Sequence, residues 1–317
     1  MKSNRLLLLF FVSLVVLPQC SKPSKKVLFI NSYHEGYEWS DGIQKGVESE
    51  IDSADVDFKT VYMDTKRNPS EEFVKKAALR VKGVIDEYKP DVVIASDDSA
   101  AKYLIVPWYK DAKLPFIFCG LNWDATEYGF PAKNVTGMLE VEFVIGLIEY
   151  MKDHARGKRI GFISYDILSE KKSAFNYKKI LKVSLAQEAY VKTVDEWKKK
   201  FLSLQKSVDM LIVSNMAGIK DWDDKGMKKW TLENTRIPTG TTNEWMMKYS
   251  LIGLTKVPEE QGRWAAKTAL KILAGADPGK IPIAKNKDGR LYINISLMKK
   301  LKIKFSEPML RGAIKVK

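Results

Sequence analysis

The feature of this sequence that most constrains its fold is a regular alternation of short apolar runs with amphipathic stretches, and the whole pattern occurs twice. The apolar runs predict buried strands, because strands of a parallel sheet are covered on both faces and are apolar throughout. In the first half the predicted strands are 27–30, 58–63, 91–95 and 115–119. In the second half they are 159–163, 189–194, 209–213 and 237–240, with a last strand at 290–295.

The stretches between these strands predict helices, because their apolar residues recur at helical spacing. Ser70 is the predicted N-cap of the second helix, and Gly275 is predicted to end the long helix near the C-terminus. The predicted helices are 41–51, 70–88, 98–109, one within 170–185, 196–205, one within 220–233, 258–273 and 297–301. Strands alternating with helices indicate right-handed crossover units and therefore an α/β fold.

The two halves can be aligned strand by strand, and similar residues follow the matched strands. FINSY (29–33) matches FISY (162–165), PDVVIASDD (90–98) matches VDMLIVSNM (208–216), and LPFIFCGLNWD (114–124) matches IPTGTTNEW (237–245). Ligands of open parallel sheets bind at the carboxyl ends of the strands, where these clusters lie. The sequence therefore predicts two doubly wound parallel-sheet lobes of the same order, with a ligand cleft between them.

The residues that follow the strand ends are the candidate ligand-binding residues. Aromatic rings there could stack on a flat ligand or close over an apolar one, and an Asn amide can both donate and accept. The same side chains could instead pack on the adjacent helix or cap their own loops. The candidates are Ser32, Tyr33, His34, Trp39, Asp97, Asp98, Asn122 and Trp123 in the first half, and Tyr165, Ser214, Asn215, Asn243, Glu244 and Trp245 in the second.

The two adjacent carboxylates Asp97 and Asp98 follow a strand and precede a helix. One of them, or Ser99, is expected to cap that helix, and the other could face the cleft and pair with a ligand ammonium. Glycosidase or metal chemistry would need a second acidic cluster, and His34 has no metal-ligating companion at a suitable spacing. No activated nucleophile is visible. We therefore predict no catalytic residue, no metal and no cofactor, and we do not expect an enzyme.

The first 19 residues predict a signal peptide, because Lys2 and Arg5 precede an apolar stretch at 6–17 that is too short for a comfortable membrane span. Cys20 follows a segment that resembles a lipobox, although Pro18 and Gln19 replace the usual small residues. We favour a lipoprotein that is lipidated at Cys20 and tethered through 20–25, anchored in the membrane outside the cytoplasm, in the periplasm or at the cell surface. The alternative is a secreted protein.

The formal net charge of +14 raises the question of a nucleic-acid partner. The lysines, such as those at 198–200, lie mostly at surface positions of predicted helices, and no basic stripe is interleaved with stacking aromatic residues. A solvated surface explains this pattern, and export argues against nucleic acid as a partner. Attraction to an anionic membrane surface remains a weaker alternative.

Several motifs carry a resemblance to a known family. They are SYHEGYEWSDGIQKG (32–46), MDTKR (63–67), ASDD (95–98), FCGLNWD (118–124), NVTGM (134–138) and the C-terminal RLYINISLMKKLKIKFSEPML. Together they resemble bacterial ABC-transporter substrate-binding proteins with the type I periplasmic-binding fold, some of which are linked to aromatic amino-acid uptake. The resemblance implies capture of a small polar or aromatic molecule, such as an amino acid, and ABC permease subunits as partners.

The resemblance also implies that the chain crosses three times between the lobes, near 136–139, 248–254 and 281–288. The N-terminal lobe would then hold 26–137 and 250–281, and the C-terminal lobe 138–249 and 282–317. The segment SYHEGYEW is closer to members that act as extracytoplasmic sensor modules. The alternative function is therefore a ligand-sensing module that signals to a partner protein instead of feeding a permease.

Overall fold

The computed structural model describes residues 24–216 and 218–317. The predicted signal peptide, the predicted lipidation site Cys20 and residues 20–23 of the predicted tether lie outside the described residues. Lys25, which was assigned to the tether, begins the first strand. Within the described ranges, no helix has both the length and the apolar character that a membrane crossing requires.

The strands of the described chain are numbered in order. They are β1 (Lys25–Asn31), β2 (Val56–Tyr62), β3 (Val92–Ser96), β4 (Phe116–Asn122), β5 (Val135–Glu140), β6 (Ile160–Tyr165), β7 (Leu185–Val191), β8 (Met210–Val213), β9 (Thr239–Thr241), β10 (Ile252–Lys256), β11 (Ala284–Lys285), β12 (Gly289–Asn294) and β13 (Ile314–Val316).

The helices of the described chain are numbered in the same way. They are α1 (Glu38–Ile51), α2 (Glu71–Tyr88), α3 (Asp97–Ala100, continued as a π-helix at Ala101–Tyr109), α4 (Val144–Lys152), α5 (Leu168–Lys179), α6 (Val194–Ser207), α7 (Asp224–Asn234), α8 (Pro258–Leu273), α9 (Ile295–Leu301) and α10 (Glu307–Gly312). Short 3₁₀ turns occur at Thr126–Tyr128, Glu244–Tyr249 and Pro278–Lys280.

Two sheets organise the described chain into two α/β lobes. The first sheet has the order β11-β5-β4-β3-β1-β2, and all its strand pairs are parallel. The second has the order β13-β12-β10-β9-β8-β6-β7, in which only β10 and β12 pair antiparallel. The strands β3 and β8 are fully buried, as continuous apolar runs predict. This architecture confirms the predicted fold class.

The chain passes between the sheets at 141–143, at 257 and at 286–288. The third crossing lies within the predicted segment 281–288, whereas the first two follow the predicted segments. The predicted crossing at 136–139 lies inside β5, and the one at 248–254 overlaps β10. Both segments are strands because they complete hydrogen-bonded ladders, β5 beside β4 and β10 between β9 and β12. The predicted lobe boundaries are therefore wrong at 138–140, at 250–256 and at β11, which pairs with β5 in the first sheet.

Helix α8 returns to the first lobe and packs closely against α1. A Cβ atom added at Gly262 would lie 1.9 Å from the carbonyl oxygen of Ile43, and one added at Gly46 would lie 2.2 Å from that of Glu259. The glycines therefore allow the two helix backbones to touch. This packing places the start of α8 beside the start of α1, where both helices border the space between the lobes.

Candidate ligand-binding cleft

A cleft of about 810 Å³ lies between the two lobes. Its walls come from the loop after β1, the start of α1 and the ends of β3, β4 and β5 on one side. The other side comes from the segment after β9, the end of β10 and the start of β12. β12 contributes through its first residues because it runs antiparallel to β10, so that Arg290 pairs with Thr255. Seven predicted site residues line the cleft: Tyr33, Trp39, Asp97, Asn122, Asn243, Glu244 and Trp245.

The other predicted residues of the first lobe lie beside the cleft lining. The Ser32 hydroxyl is buried, where it donates to the Ser96 carbonyl and accepts from the Ala100 N–H at 3.0 Å. Asp98 accepts from the Asn122 amide at 2.7 Å and from the Tyr128 hydroxyl at 2.8 Å.

Two further first-lobe candidates contact protein groups. Nδ1 of His34 lies 3.7 Å from Asp64 Oδ1. The ring of Trp123 packs edge-on against Tyr177, with 5.7 Å between the ring centroids.

Three predicted residues of the second lobe also lie outside the lining. Ser214 is buried and donates to Glu170 Oε2 at 2.6 Å. Tyr165 packs against the core of the second lobe and leaves no room for a side chain at Gly218. Asn215 reaches the lining indirectly, because its Oδ1 accepts from the Trp245 indole N–H at 3.4 Å. The cleft thus uses the β9–β10–β12 side of the second sheet.

Asp97 is the most unusual side chain of the cleft. It begins α3 with a positive φ of 65°, and only 2% of its surface is exposed. Its Oδ1 accepts from the Trp39 indole N–H at 3.2 Å, whereas its buried Oδ2 has no hydrogen-bond partner among the described residues. Burial raises the pKa of the Asp97 carboxyl well above its usual value, and the negative charge of Glu140 raises it further. Hydrogen bonding with the Ser96 and Trp39 side chains lowers the pKa and offsets part of this rise.

Gly120 forms the backbone surface behind this carboxylate. It has a φ of 67°, in the left-handed region, and a Cβ at this position would lie 3.1 Å from Asp97 Oδ1. Its N–H donates to Gln261 of α8 at 2.9 Å, which fixes the end of β4 against that helix. A side chain at residue 120 would therefore press on the carboxylate.

An aromatic pair lies next to Asp97 on the first lobe. The rings of Tyr33 and Tyr37 pack edge-to-face with 5.4 Å between centroids, and the Lys66 ammonium lies 4.9 Å and 5.1 Å from these centroids. Such distances suit cation–π attraction. The negative charge of Asp97, followed by burial, raises the pKa of Tyr33 well above its usual range. The Tyr33 hydroxyl therefore stays protonated and can donate a hydrogen bond.

A buried ion pair joins the two lobes at the back of the cleft. Glu140 ends β5 in the first sheet, Lys256 ends β10 in the second, and the Lys256 ammonium donates to Glu140 Oε1. Burial raises the pKa of Glu140, and Lys256 offsets part of that effect. Burial acts to lower the pKa of Lys256, but the negative charges of Glu140 and Glu142 outweigh it and the pKa is raised. The same ammonium lies 5.3 Å from the Trp39 ring centroid.

Trp245 forms the apolar part of the opposite wall. Its side chain is 55% exposed, which is unusual for so large an apolar surface. It follows β9 in the short turn Glu244–Tyr249, whose Met246, Met247 and Tyr249 anchor the turn in the second lobe. The indole of Trp245 is therefore held at the cleft while its surface remains open to a ligand.

Four lining residues that carry much of the cleft's charge and aromatic surface were not predicted: Tyr37, Glu140, Lys256 and Arg290. Tyr37 lies in the same loop as Tyr33 and Trp39, so strand-end position could have identified it. Glu140 and Lys256 end two strands that the sequence analysis interpreted as crossings. Arg290 starts an antiparallel strand, and the carboxyl-end rule for parallel sheets does not cover such positions.

Two α/β lobes with an interlobe cleft at their strand ends define the type I periplasmic-binding class of protein. The model of the family described as ABC transporter substrate binding protein matches residues 27–317. The chain therefore belongs to the ABC transporter substrate-binding protein family, as the resemblance predicted. This family is a substrate-binding and extracytoplasmic class. No curated protein matches the chain.

Solved structures share the fold at low sequence identity. CD0873 from Clostridium difficile, a substrate-binding protein with adhesive properties in its ligand-free open form, is 18% identical with a TM-score of 0.69, over 92% of this chain and 99% of that one. An ABC domain from Streptococcus pneumonia in complex with L-Trp is 19% identical with a TM-score of 0.57, over 92% and 99%. A solute-binding protein from Bradyrhizobium with bound bis-tris is 15% identical with a TM-score of 0.57, over 92% and 88%.

Proposed function

We propose that this protein is the extracytoplasmic solute-binding component of an ABC importer. It captures a small polar or aromatic molecule, such as an amino acid, between its lobes and delivers that molecule to permease subunits. Lipidation at Cys20 would hold it at the membrane surface, and no bond of the ligand is made or broken. The transport assignment of the family favours import over the alternative of a sensing module.

The cleft itself is the observation that carries this proposal. Its volume of about 810 Å³ falls within the range of small-molecule sites, which is about 300–1,000 Å³. Aromatic side chains from both lobes line it together with carboxylates, amides and basic groups. Apolar surface with a few oriented polar groups is typical of pockets that select one small molecule. The L-Trp found in the pneumococcal relative agrees with a ligand of this size.

A thermal-shift screen tests the proposal. The protein is purified from residue 21 onward, which retains the whole described structure, and is mixed with amino acids, nucleosides, amines and short-chain acids. A ligand at 100 times its dissociation constant should stabilise the fold by about 2.7 kcal/mol. Trp245→Ala should lose the shift, whereas Trp108→Ala, which removes a 40% exposed tryptophan from outside the cleft, should keep it. Absence of any shift across all four classes would contradict solute capture.

A purification from membranes tests whether the partner of this protein is an ABC permease or a signalling protein. If the protein feeds a permease, the lipidated protein captured from membranes should retain transmembrane permease subunits and their ATPase. Capture of a signalling protein in their place would favour the sensing alternative.

A further inference from the structure

The charge of the cleft differs from the charge of the whole chain. The chain has a formal net charge of +14, yet the cleft is lined by six carboxylate side chains and four basic ones. Two of the basic side chains are already paired with lining carboxylates, Lys256 with Glu140 and Arg290 with Glu259 at 3.6 Å. The ligand-facing surface is therefore acidic in a basic protein, and it attracts cations by its local field.

Asp97 adds to this acidic surface a carboxyl group whose hydrogen bonding is incomplete. Its Oδ2 is buried, it has no hydrogen-bond partner within the described part of the chain, and the residue lines the cleft. The charged groups that raise its pKa, Glu140 and Asp98, are also acidic. A buried carboxylate without a cation is unfavourable, and a donor that brings positive charge relieves both the missing hydrogen bond and the missing charge.

The lysines Lys256 and Lys66 of the cleft contact other groups and do not neutralise Asp97. The Lys256 ammonium donates to Glu140, and the Lys66 ammonium lies over the rings of Tyr33 and Tyr37. Gly120 places no side chain of its own against the carboxyl, and its neighbours besides Asp97 are the uncharged side chains of Ile43 and Trp39. A cation would therefore have to reach Asp97 from the cleft. Tyr33 and Trp39 line the cleft on the same lobe as Asp97, and Trp245 lines it on the other lobe.

We propose that the cleft selects an organic amine, whose protonated nitrogen donates to Asp97 and whose apolar body contacts the aromatic side chains Tyr33, Trp39 and Trp245. This inference rests on the proposed function and specifies its ligand class. An ammonium supplies both a positive charge and hydrogen-bond donors, and aromatic faces attract such a cation further. A solute whose charge is a carboxylate alone would meet Asp97, Glu140 and Glu244 without compensation.

Matched pairs of small molecules test this by isothermal titration calorimetry on the protein purified from residue 21 onward. The pairs are tryptamine and indole-3-propionate, tyramine and 3-(4-hydroxyphenyl)propionate, and hexylamine and hexanoate, each of which exchanges an ammonium for a carboxylate on a similar body. We expect at least one amine to bind at least tenfold more tightly than its acid partner. This comparison uses the unmutated protein and does not depend on any variant folding.

Asp97→Asn keeps the size of the side chain and removes its charge. It should weaken binding of that amine at least tenfold, whereas Asp86→Asn should change it less than twofold. Asp86 lies near the C-terminal end of α2, where its carboxylate is exposed and pairs with Lys82. Tighter binding of the acids, equal binding within every pair, or full affinity in Asp97→Asn would overturn the amine assignment.

The failure of this inference differs from the failure of the proposed function. If acids or neutral solutes bind and Trp245→Ala abolishes that binding, the protein is a solute-binding protein and the amine assignment is wrong. If no solute of any class binds, the proposed function fails and the amine assignment fails with it.

Discussion

At the scale of single residues, Asp97, the proposed partner of the ligand ammonium, should also affect the stability of the empty protein. A carboxyl group with one buried oxygen left without a hydrogen-bond partner destabilises the folded chain by about 1–3 kcal/mol. Asp97→Asn should therefore raise the free energy of unfolding of the empty protein at neutral pH by an amount in this range. Thermal or urea unfolding at pH 7 measures it, with Asp86→Asn as the control that should change little.

The pH dependence of this effect has a definite sign. The folded-state pKa of Asp97 is raised above its unfolded value of about 3.9, so the folded protein holds a proton that the unfolded chain releases. The contribution of Asp97 to stability therefore falls as the pH rises from about 4 through the raised folded pKa.

This fall in stability should disappear in Asp97→Asn. The charged or titratable groups beside Asp97, namely Tyr33, Asp98, Cys119, Glu140 and Lys256, remain in both proteins, so the difference between the two curves isolates residue 97. Urea unfolding between pH 4 and pH 8 measures it. Parallel curves for the two proteins would show that Asp97 is not perturbed.

Substitution of Gly120 tests whether the backbone next to the Asp97 carboxyl requires a residue without a side chain. Gly120→Ala combines a strained positive φ with a Cβ at 3.1 Å from Asp97 Oδ1, whereas Gly36→Ala has a positive φ of 85° and no atom within 4 Å of its Cβ. The strain alone should destabilise either variant by about 1–2 kcal/mol. We expect urea unfolding to show a larger loss of free energy of unfolding for Gly120→Ala than for Gly36→Ala. Equal losses would show that the contact between the added Cβ and Asp97 does not destabilise the fold.

At the scale of helices and strands, the contact between α1 and α8 depends on Gly262. The Cβ of Gly262→Ala would meet backbone atoms of α1, which cannot rotate away as a side chain can, so the helices must separate. We expect a loss of about 1–3 kcal/mol or more in urea unfolding. Gly83→Ala is the control, because a Cβ on this α2 glycine meets nothing within 4 Å and should stabilise the helix by up to about 1 kcal/mol. Equal behaviour of the two variants would contradict a close helix contact.

The buried pair at the ends of β5 and β10 gives a second prediction at this scale. Lys256→Met leaves Glu140 buried without its counter-charge and should lower the free energy of unfolding by about 3–5 kcal/mol. The double variant Glu140→Gln/Lys256→Met should recover much of this loss, because no unpaired charge remains. Lys76→Met breaks an exposed pair with Glu72 and should cost at most about 1 kcal/mol. A double variant as unstable as Lys256→Met would show that the lysine acts through packing.

The elements that could be predicted from sequence are those with strong periodicity or a clear stop. Helix α8 was predicted at 258–273, the bounds that it has, because Pro258 opens it and Gly275 with a φ of 106° follows its end. Strands β5 and β10 were missed because each is short and contains a glycine, so that their sequences VTGMLE and IGLTK resemble connections. Their strand character comes from ladder partners far away in the sequence.

The candidate site could be predicted only in part, because it also depends on pairing between strands that are distant in the sequence. Of the residues selected by strand-end position, seven line the cleft. Strand-end position could not show which strand ends of one lobe face the other lobe. Tyr165 ends β6 and Ser214 follows β8, and both strands lie away from β9, β10 and β12 in the order of the second sheet. This strand order is fixed by pairing that no local pattern encodes.

At the scale of the whole molecule, the described segments that pass between the lobes lie close together and are joined by hydrogen bonds and an ion pair. The side chain of Asn286 in the third crossing exchanges two hydrogen bonds with the backbone of Val141 in the first, at 2.7 Å and 3.0 Å. The Glu140–Lys256 pair joins the two strand ends that immediately precede the first and the second crossing. Hinge closure needs a few connecting residues that change conformation while the lobes stay rigid. The short crossings at 141–143, 257 and 286–288 are the connecting residues that could do so.

A ligand that contacts both lobes should therefore shift the molecule toward a closed form, because it gains contacts there that the open form lacks. Small-angle X-ray scattering should show a smaller radius of gyration when a solute identified by the thermal-shift screen is added. Trp245→Ala removes the exposed aromatic wall of the second lobe, so it should weaken binding about tenfold or more and abolish the compaction even where the solute still binds the first lobe. Trp108→Ala should bind and compact like the unmutated protein. Compaction that persists in Trp245→Ala at saturating solute would mean that contacts from the first lobe and the hinge alone drive closure, and that Trp245 does not couple binding to the movement of the lobes.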